Sequence, residues 1–165
     1  MSVRLATVPA NQMGWWPEAG LSDESEDIKA QIEEIRREIR KAISFSWRDS
    51  LRDDIAEVVQ SSSKAGWDGY GAEPVSIDSA NGALQLIEAL PEHISLPSVI
   101  PEPGGEIALE WRTDNQRDFS ISISGTSLVY AGVFGGSCKE YGEEPFFGAL
   151  PATILRILTH YFPEA

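Results

Sequence analysis

The chain has 165 residues, 42% of them hydrophobic and 24% charged, which suits one globular domain with a real core and not a disordered segment. Its 26 Asp and Glu outnumber 13 Lys and Arg for a formal net charge of -13, and residues 62–165 alone hold fourteen acids against five bases. Such a surface repels phosphate backbones and anionic membranes, so it argues against direct nucleic-acid binding and membrane binding and favours a basic protein or nucleic-acid-handling complex as partner.

Cys138 is the single cysteine, which rules out an internal disulfide and a cysteine-based zinc site. No basic-then-apolar leader opens the chain and no apolar run reaches the ~18 residues of a membrane span, so a cytoplasmic protein is expected.

Residues 1–21 lack periodicity and read as an extended lead-in, in which Trp15 and Trp16 are expected to pack on the body. Residues 22–61 read as a helical arm. Ser22 suits an N-cap, and Asp23, Glu24, Glu26 and Asp27 lie where the helix dipole favours negative charge. Ile28, Ile32, Ile35, Ile39 and Ala42 then follow alternating steps of four and three, a narrow seam suited to self-association or to packing on the chain's own sheet. The stripe continues through Ile43, Trp47, Leu51, Ile55 and Val58. Ser44-Phe45-Ser46 interrupts it, so two helical pieces or one bent helix are expected.

Residues 62–165 form the acidic body, in one domain with the arm. It begins with "GWDGYGAEPVS", residues 66–76. Gly66, Gly69 and Gly71 supply backbone freedom, Asp68 favours a turn, and Pro74 closes the stretch. Gly66, Trp67, Gly69, Gly71 and Pro74 therefore read as a structural elbow, with Trp67 buried. The stretch lacks the GK[ST] of a phosphate loop and the carboxylate spacing of a calcium loop. Ser76 caps a second helix that turns Ala80, Ala83, Leu84, Ile87 and Leu90 inward and ends at Pro91.

Three strands are predicted at 106–112, 118–124 and 127–134, with an edge segment near 98–103. The first two alternate cleanly between apolar and polar residues, as in an antiparallel meander covered on one face. "GALPATILRILTHYF" closes the chain as a helix burying Leu150, Ile154, Leu155, Leu158, Tyr161 and Phe162. The expected class is α+β: a long N-terminal helix or two pieces, a second helix on a three- to four-stranded antiparallel meander, and a C-terminal helix.

"WDGYGAEPVS" followed by "LPSVIPEPGGEIALEW" resembles a group of short uncharacterised bacterial proteins that share W-[DN]-G-x-x-A-x-P and P-x-P-x-G-G-I-x-L-E-W. The similarity covers about residues 64–134. Here Glu106 stands between Gly105 and Ile107, a shift of one residue at the strand start. The resemblance implies a fold unit and a setting among mobile or defence genes; it supplies no catalytic residue.

Catalytic constellations are sparse. Cys138 and His160 are the components of a dyad, with Gly135 and Gly136 as oxyanion donors, and Glu110 and Asp118 are the components of a carboxylate pair across a hairpin. Neither His93 nor His160 has metal-ligand spacing, and no cofactor or metal is expected. The reading favoured is a non-enzymatic acidic module that inhibits or neutralises a basic partner, of the antitoxin, immunity or anti-defence type, or a nucleic-acid mimic. Its partner-binding candidates are Asp68, Tyr70, Glu73, Glu106, Glu110 and Asp118. Two alternatives stay open: an adaptor that forms a homodimer through Ile28, Ile32, Ile35 and Ile39, and a hydrolase using Glu110 with Asp118, or Cys138.

Overall fold

The computed structural model describes residues 22–113, 116–136 and 138–164, and the side chains within 22–30 and 40–46 lie outside the description. Trp15 and Trp16 fall outside the described residues. Contacts divide the chain into two compact units, Met1–Lys41 and Ala42–Ala165. The helix α1, Ser22–Ser61, is continuous across the boundary. Of the two expectations at Ser44–Ser46, two separate helical pieces are not found, since neither Gly nor Pro stands there and serine costs only tenths of a kcal/mol in a helix. In the first unit, residues 31–39 are exposed and carry the in-helix pairs Glu33–Arg36, at 2.9 Å, and Glu34–Arg37.

In the second unit the end of α1, the helix α2 (Ile77–Ala89) and the helix α3 (Ala152–Tyr161) share a core with a five-stranded antiparallel sheet. Its strands are β1 (Ser98–Pro101), β2 (Ile107–Thr113), β3 (Arg117–Ser124), β4 (Ser127–Phe134) and β5 (Lys139–Pro145), paired in chain order. The α+β class stands, with five strands where three or four were expected.

Alternation decides which face is covered. Ile107, Leu109 and Trp111 of β2, Phe119, Ile121 and Ile123 of β3, and Leu128, Tyr130 and Phe134 of β4 are buried. They share one cluster with Leu51 and Ile55 of α1, Leu86 and Ile87 of α2, and Ile154, Ile157 and Leu158 of α3. Each such side chain contributes about 1.5–3 kcal/mol by leaving water. Phe119 lies at the centre, with the rings of Trp111, Tyr130, Phe134 and Phe162 at 6.0–6.2 Å. Two glycines make room for this aromatic layer. A Cβ at Gly132 would come within 2.8 Å of Phe119, its cross-strand partner, and one at Gly142 within 2.6 Å of the hydroxyl of Tyr130, likewise its partner.

Three helical assignments shift. On α2, Leu86 is buried where Leu84 was expected, and Ser79 is buried as completely as its apolar neighbours. Its hydroxyl accepts from the Ile107 amide at 2.7 Å and donates to the Ile123 carbonyl at 2.6 Å, fastening α2 to β2 and β3. On α3, Ile154, Leu158 and Phe162 are buried as expected, but Ile157 is buried and Leu155 exposed.

Strand β5 was not anticipated. Its half-buried positions are Glu140, Gly142 and Glu144, which no apolar alternation would mark. Glu140 pairs with Arg156 of α3 at 2.5 Å, and Glu144 accepts from Thr153 at 3.2 Å. Inward charges and the closing Pro145 also blunt this edge against further strand addition.

Candidate functional site

The elbow is built by one carboxylate oxygen. Asp68 Oδ1 accepts the amides of Tyr70, Gly71 and Ala72 at 2.8, 3.1 and 3.0 Å. These bonds, Ala72's foremost, hold the Asp68 pKa below its ordinary value. Gly66, Gly69 and Gly71 all take left-handed backbone angles, with φ of 75°, 80° and 103°. Trp67, expected buried, is half-buried, and its indole donates to the Glu73 carbonyl at 2.9 Å. A flat amphipathic ring laid along a loop hides one face and leaves the other wet.

The elbow is also seated on the second quoted stretch. The Glu73 amide donates to Pro103 O at 2.8 Å and the Ser76 amide to Gly105 O at 2.9 Å. Gly105 has φ of 91°, and a Cβ there would lie 2.8 Å from the Pro74 carbonyl. The two halves of the sequence pattern are therefore one hydrogen-bonded unit, although some thirty residues separate them.

Of the candidate residues, Asp68, Tyr70, Glu73 and Glu106 lie on or beside this unit. Tyr70 is 96% exposed, whereas the Asp68 oxygen is committed to its own loop. Glu110 and Asp118 lie elsewhere, on the sheet face opposite the aromatic core.

That face includes three cross-strand rows beside a fourth of Ser124, Ser127 and Pro145. They run Ser98, Glu110, Ser120, Ala131, Tyr141; then Ile100, Ala108, Ser122, Val129, Glu143; then Arg112, Asp118, Val133, Lys139. Small side chains at 120 and 131 form the floor of a depression of about 290 Å³, rimmed by Glu110, Arg112, Asp118, Lys139 and Tyr141. Tyr141 is 81% exposed, Val129 47% and Val133 38%. Sequence reading missed these apolar positions. Their signal was in "SLVYAGVF", where Val129, Ala131 and Val133 occupy the phase opposite Leu128 and Tyr130, so that both faces of the strand are apolar.

The expected carboxylate pair does not form. Asp118 stands opposite Arg112, and Glu110 stands opposite Ser120, one row away. Arg112 lies between the acids, 2.8 Å from Asp118 and 3.9 Å from Glu110. Its hydrogen bond to Asp118, then the attraction of both carboxylates, raises the Arg112 pKa. The two carboxylates thus meet Arg112 and not each other.

Cys138 and His160 are not joined either. The Cys138 thiol lies 3.9 Å from the Tyr161 hydroxyl, while the exposed His160 ring meets the edge of the Tyr161 ring at 4.5 Å. The contact with Cys138 raises the Tyr161 pKa. The Gly135 amide donates to the Gln116 carbonyl at 3.4 Å, so it is already engaged. Among the described residues no His, Cys, Asp and Glu side chains converge as a metal site, and no helix is long and apolar enough to cross a membrane.

No protein-family model matches the chain, and neither the curated proteins nor the solved structures compared with it give a match.

Proposed function

We propose that this chain is an acidic protein-binding module that inhibits or neutralises a basic partner, and that the partner docks on the open face of the sheet. The observation that carries the reading is one-sidedness. The helices share a core with one face, and the other presents Tyr141, Val129 and Val133 among Glu110, Asp118 and Glu143. An exposed tyrosine beside small floor residues is the anatomy of an interface anchor, and surrounding carboxylates on a chain of net charge -13 steer basic surfaces toward it. The functional types proposed are an antitoxin, an immunity protein or an anti-defence inhibitor.

The test is affinity capture from the native host, washed at low salt and at about 0.5 M salt, where the screening length falls to roughly 4 Å. A basic protein released by salt is then titrated against wild type and against the double variant Tyr141→Ala, Val133→Arg. Affinity is expected to fall by about 10–100-fold in the double variant, as for loss of a central anchor. Tyr70→Ala, on the elbow, is expected to bind as wild type. Binding that survives high salt contradicts the electrostatic part of the proposal, and full affinity in the double variant contradicts the choice of face.

A further inference from the structure

The first unit holds a feature that the sheet does not use. Ile32, Ile35 and Ile39 of α1 are 42%, 58% and 53% exposed, three large apolar side chains within eight residues of one helix. With Ile28 they are spaced four, three, four, the repeat that keeps one seam facing a partner helix. In heptad terms Ser25, Ile32 and Ile39 take position a, and Ile28, Ile35 and Ala42 take position d. The four core isoleucines therefore occupy both kinds of position. Isoleucine at a with leucine at d suits two strands, but isoleucine at both shifts the preference to three or more.

The flanking charges select a direction. In a parallel bundle each g position lies beside the e position five residues later in the next copy, which brings Glu24 to Lys29 and Gln31 to Arg36. The first pair is attractive and the second is neutral. In an antiparallel arrangement e positions meet each other, so Lys29 would stand against Arg36, two like charges. Glu33 and Glu34 pair within the helix with Arg36 and Arg37. We infer that residues 22–42 assemble three copies of this chain as a parallel bundle, with the isoleucines as its core. This stands apart from the partner assigned to the sheet face and holds or fails without it.

The experiment measures mass by light scattering over a concentration series of the full chain, at low salt and at about 0.5 M salt. The expected result is an approach to three times the mass of one chain. High salt is expected to favour the trimer, because it screens the like charges of three acidic bodies and leaves an apolar seam intact. The double variant Ile32→Asp, Ile39→Asp changes only exposed positions and is expected to stay at one mass with an unchanged circular dichroism spectrum. Orientation is read from Ser25→Cys in a Cys138→Ala background. Parallel copies bring residue 25 beside itself and cross-link on oxidation, whereas antiparallel copies would place it opposite Ala42. A wild-type mass of one chain at every concentration overturns the assembly. A mass of two overturns the stoichiometry, and trimers without cross-links overturn the direction.

Discussion

The two ends of α1 carry the same kind of pattern and meet different fates. Leu51 and Ile55, four apart, are each 2% exposed and belong to the core, while Ile32, Ile35 and Ile39, spaced three and four, are all exposed. Helical spacing defines a face but does not name what covers it. For Leu51 and Ile55 the cover comes from the cluster they share with α2, α3 and the sheet, residues distant in sequence. Ile32, Ile35 and Ile39 have no such cover among the described residues.

Substitutions can sharpen or erase this contrast. Ile55→Ala is expected to lower unfolding free energy by about 2–5 kcal/mol, the usual cost of an emptied core site. Ile35→Ala should change it by less than about 0.5 kcal/mol at concentrations where the chain is a monomer. Urea denaturation followed by circular dichroism compares the two, and equal losses would remove the distinction. Next in size is Ser79→Ala, which leaves the Ile107 amide and the Ile123 carbonyl buried without their shared partner, at about 1–3 kcal/mol. A stability within error of wild type would mean that water replaces the hydroxyl.

Gly69→Val is expected to cost about 1–2 kcal/mol. No atom lies within 4 Å of a Cβ at Gly69, so the whole effect comes from φ of 80°, and Gly69→Asn should recover much of it. Equal melting temperatures for the valine and asparagine variants would contradict that account. The smallest effect concerns pH. Asp68 has a lowered pKa in the folded state, so its contribution is present above the ordinary carboxylate pKa of about 3.9 and is lost as pH falls through the folded value. Asp68→Asn should be less stable than wild type at pH 7 and lose less on acidification. Parallel stability curves for the two proteins would show that the charge on Asp68 plays no part.

What the sequence disclosed follows the same division. Strands β2 and β3 were legible because Ile107, Leu109, Trp111, Phe119, Ile121 and Ile123 recur at every second position, a period set by the pleat itself. Strand β5 was not, because Glu140 and Glu144 reach inward only by virtue of Arg156 and Thr153 on a helix later in the chain. One residue each on α2 and α3 was misplaced for a related reason. Leu84 and Leu86, or Leu155 and Ile157, are equally apolar, and the choice between them rests on what the sheet offers opposite. Of the candidate surface, Glu110 and Asp118 could be named as polar-phase residues, but Arg112 between them depends on the β2–β3 register. Tyr141, the proposed anchor, was hidden with the strand that carries it.

The pairing of Tyr130 with Gly142 has a consequence for inheritance. The phenol fills the space a side chain at 142 would need, so neither position can change freely while the other stays as it is. Two sites twelve residues apart then behave as a single heritable character. A lineage of this chain that acquired alanine at 142 would be expected to carry a smaller residue at 130, and an alanine at 142 beside a retained tyrosine would mark a strand that had moved.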